Sequence, residues 1–417
     1  MSRHHRPRVV VTGLGAVSPI GNTVAQFWER LCAGVSGVAI ATRYDPTDMP
    51  YVITAEVKDF DPTQHMDAKT AKRTARFVQL ALAAAGEAIT NSELDLAQID
   101  RTRVGVVIGT SLGGTAEVEE QTLRFEAKQR KRVEPLYLPT FIYNMASCHV
   151  AMAYDFHGPN TTPVMACATG SYAIGAAFRM IQAGDATVVV AGGSDAGVTA
   201  LNSMAFGVIG AIAPPGEDPS RAVRPFDAER RGTAGGEGCG VLILEELEHA
   251  LARGATIYAE IVGFGATEDA FHLTAPAPDG RYAALAMQRA LADAQLAPTM
   301  IDHISAHGTA TSIGDAAETA AIHAAFGAHA PQIAVSGIKS MIGHTAGAAG
   351  ALAAVGVVKS IMHQVVPPTM GYATPDPACD LDYVPNVART MPVRAAMVNA
   401  FGFGGQNAVV LFAQYQA

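Results

Sequence analysis

Two rhythms of apolar and polar positions alternate along this chain. Short β-branched runs predict strands at Val9–Thr12, Val104–Gly109, Pro163–Ala166, Thr187–Ala191, Ile257–Phe264, Ile301–Ala306, Ile333–Ser336, Met397–Ala400 and Ala408–Phe412. Between them, apolar residues recur at helical spacing over Met66–Ile89, Ser171–Gln182, Ala283–Ala294, Ala316–Phe326 and Ala346–Met362. In Ser171–Gln182, for example, Ile174, Ala177, Phe178 and Ile181 share one face. Asp67 is placed to cap the first of these helices. Strands alternating with helices predict an α/β fold whose sheets are covered on both faces. The series runs twice, opening with VVVTGLG and then with AEIVGFG, each read as a strand that ends at Gly-x-Gly. This pattern suggests an internal duplication, with an N-terminal half at 1–254 and a C-terminal half at 255–417 that divide near Arg253-Gly254.

Composition narrows the class. The 417 residues are 49% hydrophobic and 16% charged, which excludes a disordered chain. The net charge of -9 argues against nucleic acid as a partner. The five Cys include no Cys-x-x-Cys pair, which favours a reducing compartment, the cytoplasm. The longest small-and-apolar stretch, Ala346–Val358, stops at Lys359, short of a membrane span. No signal peptide is expected from MSRHHRPRVVVTGLG, whose apolar run is brief.

Candidate chemistry gathers just beyond predicted strand ends. Cys167 follows Pro163–Ala166 and His307 follows Ile301–Ala306. Lys339 and His344 follow Ile333–Ser336, and Phe401-Gly-Phe-Gly-Gly405 follows Met397–Ala400. In open α/β sheets that edge binds ligands. Cys167 stands at the start of a helix among Ala166, Ala168 and Gly170, where the helix dipole favours thiolate. Its alternative is an inert core thiol, the reading given to Cys32, Cys148, Cys239 and Cys379. Each His is either a proton shuttle and hydrogen-bond donor or a satisfied core residue. His303 and His307 are four apart, but no Glu lies between them and no third ligand stands at a familiar spacing, so no metal is expected. Gly13-x-Gly15 lacks the third glycine of a dinucleotide fingerprint, and no Walker sequence occurs.

Taken together, ACATGS around Cys167, AHGTAT at 306–311, SGIKSMIGHTAGAAG at 336–350 and FGFGGQN at 401–407 resemble the β-ketoacyl-acyl carrier protein synthases of the thiolase superfamily. The likeness is nearest the elongating, type II enzymes. It runs from VVVTGLGAVSPIGN to NAFGFGGQNAVVLF, taking in the middle segment 224–255 and the late loop 380–389. It implies a thiolase-like five-layer αβαβα fold of two duplicated halves. It implies that Cys167 holds an acyl chain as a thioester while His307 and His344 promote decarboxylative Claisen condensation with malonyl-carrier protein. Lys339 and Phe403 join these three as catalytic residues, with the Cys167 and Phe403 N–H groups forming an oxyanion hole and Phe403 acting as gate. Thr309, Thr311, Phe401, Gly402, Asp315 and Glu318 would form or support the substrate site. No bound cofactor is implied, since the substrates ride on the phosphopantetheine arm of acyl carrier protein.

The likeness leaves two pathways open: fatty acid elongation, or a catalytic ketosynthase subunit of a type II polyketide or polyene synthase beside a chain-length factor. It implies a homodimer in the first case and a heterodimer in the second. Phe206-Gly-Val-Ile-Gly-Ala-Ile-Ala-Pro-Pro215 departs from the Phe-Arg-x-Leu-Ser segment of many elongating enzymes, and Gln406 stands where Thr or His is more usual. Two basic groups are candidates for docking the acidic carrier protein. One is Lys69, Lys72, Arg73 and Arg76, read as one helical face; the other is Lys128, Arg130, Lys131 and Arg132, with Arg124 nearby. The alternative for each group is a solvated surface.

Overall fold

The structure, a computed structural model, describes residues 6–416. Ten strands build its main sheet. They are β1 (Val9–Val17), β2 (Val104–Gly109), β3 (Asn160–Thr161), β4 (Val188–Asp195), β5 (Gly238–Glu246), β6 (Ala259–Glu268), β7 (His303–Ser305), β8 (Ala334–Ser336), β9 (Ala395–Gly402) and β10 (Gln406–Ala413). The helices that bear on the site are α1 (Ala68–Arg73), α2 (Arg76–Ser92), α3 (Thr115–Ala127), α4 (Met145–Tyr154), α5 (Thr169–Gln182), α6 (Ala200–Val208), α7 (Arg281–Ala294), α8 (Ser312–Phe326) and α9 (Ala349–His363).

The strand order is β8-β7-β9-β10-β6-β1-β5-β4-β2-β3. Read outward from the centre, the two series are β1-β5-β4-β2-β3 and β6-β10-β9-β7-β8, the same order twice. Directions repeat as well. In each series the first two pairings are antiparallel and the last two parallel. The series meet where β1 and β6 pair antiparallel over Val9–Val11 and Ala259–Ile261.

Burial explains the layering. α2 and α4 cover the outer face of the first series, and α7 and α8 that of the second. α5 and α9 lie between, packed against strands of both series. The result is a five-layer α/β fold with α5 and α9 as its middle layer. One expectation changes here: the stretch around Ala346–Val358 continues through Lys359 into a helix, Ala346–His363, that is long and apolar enough to cross a membrane, but it is 83% buried inside the protein.

Four other sequence expectations change. β1 and β6 run straight through their Gly-x-Gly pairs. Those glycines make room for a helix instead. A Cβ on Gly13 or Gly15 would lie 2.2 or 1.8 Å from the Ala88 or Ala84 carbonyl of α2, and one on Gly263 or Gly265 would lie 2.3 or 2.0 Å from Ala290 or Ala286 of α7. The 66–89 helix is two helices, since Thr74 and Ala75 are extended between α1 and α2. The Asp67 cap holds, its carboxylate accepting the Lys69 and Thr70 N–H groups. Pro163–Ala166 is a loop, and the strand forms earlier, at β3. Finally, β5 and helices α3, α4 and α6 were not anticipated from the pattern.

Candidate active site

Cys167 and His344 line one cavity because the starts of α5 and α9 cross closely. Gly170 and Gly347 stand three residues after them. A Cβ on Gly170 would lie 2.7 Å from the Gly347 carbonyl, and one on Gly193 of β4 would lie 2.4 Å from the same oxygen. Larger residues would drive the two helix starts apart. Cys167 itself follows a strained turn, with Ala166 at φ 45°. The Ala166 carbonyl accepts from Ser111 Oγ at 2.9 Å and from Thr169 Oγ1 at 2.7 Å, which pins that conformation.

His307 follows β7. Its backbone N–H and that of Gly308 both donate to the Glu318 carboxylate of α8 at 2.8 Å. Asn399 Nδ2 of β9 donates to the same carboxylate at 3.0 Å. The ammonium of buried Lys339 donates to the His307 carbonyl. The Phe401 N–H donates to His307 Nδ1 at 3.3 Å. A ring nitrogen that accepts carries no proton, so the neutral imidazole keeps its proton on Nε2. The His307 and His344 rings stand nearly perpendicular, with centroids 5.6 Å apart. His344 Nδ1 is buried without a hydrogen-bond partner among the described residues.

These side chains line one cavity of about 390 Å³ that Cys167, His307, His344, Thr309, Thr311 and Phe403 share. Burial pushes the Cys167 thiol up to about 11, opposed first by the Lys339 charge and next by the Phe403 N–H. The helix dipole therefore does not make this sulfur a resting thiolate, contrary to the sequence expectation; desolvation outweighs it. Burial and the Lys339 charge push His344 down to about 3. The same causes, with His344 added, hold His307 well below its ordinary value. Both rings are neutral near pH 7 and can donate a hydrogen bond or accept a proton. Burial lowers Lys339 to about 8, against the pull of Glu318. Glu318 is raised, burial again being the leading cause.

Most of the expected residues converge here. The Phe403 and Cys167 N–H groups lower the Cys167 value against the effect of burial. Thr309 and Thr311 present hydroxyls 3.0 Å apart on the cavity wall. Phe401 and Gly402 line it, and a Cβ on Gly402 would lie 2.6 Å from the Met165 carbonyl. The Phe403 ring stands 6.1 Å from Phe206 of α6, across the cavity lining.

Asp315 and Lys339 are buried charged groups beside the histidines, the support that the resemblance implies, whereas the expected role of Arg76 needs correction. Asp315 does not line the cavity. It is fully buried, accepts the Phe226 and Ala310 N–H groups at 2.7 and 3.1 Å, and is pushed up to about 7 by burial. Lys339 stands behind His307 and positions it through the backbone. Arg76 leaves the basic face altogether, because it begins α2 and pairs with the buried carboxylate of Glu237 through two 2.8 Å hydrogen bonds. Lys69, Lys72 and Arg73 remain exposed on α1. Lys128, Arg130, Lys131 and Arg132 are exposed beyond α3, with Arg130 paired to Glu126 and Arg124 to Glu120. His303 is a satisfied core residue, its Nδ1 bonded to the Ala334 carbonyl at 2.8 Å.

Sequence reasoning missed Asp195, at the end of β4. This fully buried carboxylate accepts from Thr110 Oγ1, from the Ser111, Leu112 and Gly347 N–H groups and from Ser111 Oγ, at 2.6–2.9 Å. It joins the loop after β2 to the start of α9. An acidic residue closing an otherwise apolar strand was the available signal.

Comparison with known proteins points the same way. Residues 6–250 match the family model for the β-ketoacyl synthase N-terminal domain, and residues 258–373 the model for the C-terminal domain. The chain is 47% identical to a 3-oxoacyl-[acyl-carrier-protein] synthase 2 of Synechocystis sp. over 100% of both chains. It is 44% identical to one of Coxiella burnetii over 98% of both. Among solved structures, the ishigamide ketosynthase/chain length factor superposes with a TM-score of 0.93 at 36% identity, covering 99% of this chain and 100% of that one. A type II polyketide ketosynthase solved with its acyl carrier protein gives 0.91 at 34% identity, again over 99% and 100%.

Proposed function

The chain belongs to the β-ketoacyl synthase family, and on that premise we propose that it is a 3-oxoacyl-acyl carrier protein synthase of the elongating type, an acyltransferase that lengthens fatty acyl chains. The observation that carries this reading is the meeting of Cys167, His307 and His344 in one cavity that Phe403 also lines.

In the first step, the Cys167 sulfur bonds to the acyl carbonyl carbon and the bond to the pantetheine sulfur breaks. The thiol proton passes by way of a neutral imidazole to the departing thiolate. Two backbone donors hold the negative oxygen of the tetrahedral intermediate. Malonyl-carrier protein then enters. Loss of carbon dioxide places negative charge on its thioester oxygen, where two imidazole N–H donors suit better than a strong base. The resulting enolate carbon attacks the acyl-Cys167 carbonyl, a carbon–carbon bond forms, and the Cys167 sulfur leaves and takes a proton from solvent by way of an imidazole.

The reading needs no resident cofactor and places the enzyme in the cytoplasm. The halves divide at 254/255. Carrier protein docks by charge on Lys69, Lys72 and Arg73, with Lys128, Arg130, Lys131 and Arg132 as a second contact. The partner copy is a second chain of the same kind. Supporting this are Leu123, Leu138 and Met152, exposed at 68%, 62% and 66%, and the open edge at β3.

Intact mass spectrometry after incubation with acyl-carrier proteins of graded length tests the reading. One acyl adduct on Cys167 is expected. No adduct, or an adduct on another cysteine, overturns it. The likeness to a ketosynthase paired with a chain length factor favours a second reading, the catalytic subunit of a type II polyketide synthase. Co-purification with a Cys-lacking relative supports that reading, and a self-paired active dimer supports the first.

A further inference from the structure

Two consecutive arginines line the cavity with opposite exposure. Arg230 is buried. It donates to the Thr311 and Ser312 carbonyls at 3.1 and 2.8 Å, to the Asp227 carbonyl at 2.9 Å and to Asp376 at 2.5 Å. It thereby holds the 309–312 loop in place. Arg231 lines the same cavity but is exposed, and its guanidinium has no hydrogen-bond or ion-pair partner among the described residues. The next residue, Gly232, donates its N–H to the Ala310 carbonyl at 2.7 Å, which fixes Arg231 beside that loop.

The cavity has a direction. Its Cys167, His307 and Thr309 portion is buried or nearly so, whereas Ser312, Ile313, Thr274 and Arg231 are exposed and mark the rim. A thioester arm with its sulfur at Cys167 passes Thr309 and Thr311 and leaves over that rim. A phosphopantetheine arm carries a phosphodiester at the end away from its sulfur. An unpaired guanidinium fits an anionic phosphate oxygen, with which it makes charge-assisted, often bidentate, hydrogen bonds.

Resting on the condensing-enzyme reading, we propose that Arg231 is a substrate-binding residue that contacts the phosphate of the incoming phosphopantetheine arm, while Arg230 positions the loop on which the arm lies. Arg231 touches no group of the acyl-transfer step, so its contribution falls on binding.

The test compares two small thioesters, an acyl-phosphopantetheine and the same acyl-pantetheine lacking the phosphate, by the rate at which each acylates Cys167. The wild type is expected to prefer the phosphorylated thioester by about tenfold in rate over KM, the size of one charge-assisted contact at a partly solvated site. Arg231→Ala is expected to erase that preference by slowing the phosphorylated thioester alone, and Arg231→Lys to keep part of it. The unchanged pantetheine rate shows that the site itself is intact. Equal wild-type rates for both thioesters overturn the proposal and leave the condensing reading standing, as does an Arg231→Ala loss shared equally by both. Acylation by neither thioester overturns the proposal, and failure of acyl-carrier protein to acylate Cys167 as well overturns the condensing reading.

Discussion

The two series of strands solve one geometric problem with different chemistry. In each, the loop after the second strand directs two successive backbone N–H groups at a buried carboxylate. Asp195 receives Ser111 and Leu112 in the first series, and Glu318 receives His307 and Gly308 in the second. In each, the reactive group that follows the third strand stands just before a middle-layer helix, Cys167 before α5 and His344 before α9. The carboxylates come from different places, however, a strand end in one series and a helix in the other. The second series also adds the Lys339 ammonium beside its loop. A repeated scaffold therefore fixes where reactive groups stand, and local side chains decide what they are. One half presents a buried thiol among small residues, and the other presents two neutral imidazoles beside a buried ammonium.

The sharpest test separates the half-reactions. Cys167→Ala is expected to reduce acyl transfer by about 10³-fold or more while malonyl-carrier protein decarboxylation persists, and His307→Ala with His344→Ala to abolish decarboxylation and to slow acyl transfer as well, because an imidazole carries the thiol proton. Product mass and carbon dioxide release measure the two separately. Loss of both reactions on removing Cys167 alone, with the fold intact, would show that the labour is not divided between the halves.

Stability comes next. Asp195→Ala strands more donors than Glu318→Ala does and also unties Gly347, so it is expected to cost about 3–5 kcal/mol against about 2–3 kcal/mol for Glu318→Ala. Denaturant unfolding reads both, and the reverse order would mean that Lys339 and Glu318 form the stronger anchor. Gly15→Ala and Gly265→Ala place a Cβ 1.8 and 2.0 Å from a helix carbonyl. Each is expected to destabilise by about 2–3 kcal/mol, and by nearly equal amounts if the two helix-on-strand contacts are equivalent.

The smallest effect concerns the charge shared across the site. Because the Cys167 thiol is pushed up to about 11, its thiolate fraction and hence its alkylation by iodoacetamide rise about tenfold per pH unit below that value. Lys339 lowers the Cys167 value, so Lys339→Met moves it higher and slows alkylation at pH 8 by about threefold to tenfold. An unchanged rate would mean that the two halves are not electrostatically coupled.

Local pattern carried much of this site, and distant partners carried the rest. Cys167, His307 and His344 each sit in a run of small residues after a strand or a tight turn, a signature visible in one segment at a time. The role of Arg76 was not visible in that way. Its spacing from Lys69, Lys72 and Arg73 suggested a shared face, but its partner Glu237 is 161 positions away. The break at Thr74-Ala75 was hidden because residues on both sides keep helical periodicity. The Pro163–Ala166 strand failed because the Ala166 carbonyl is turned toward Ser111 and Thr169 rather than into a ladder. The Gly-x-Gly pairs looked like strand ends because glycine usually punctuates; here its missing side chain lets a helix lie on the strand.

The interleaved middle layer has a consequence for synthesis. One face of the first series is covered partly by α9, residues 349–363, which the ribosome makes about a hundred residues after β5 is complete. Until then the nascent chain carries an apolar surface without its native lid, the kind of surface on which chaperones act. The same dependence predicts that either half, produced alone, would expose the apolar face that the shared middle layer covers, although the two repeat a single strand plan.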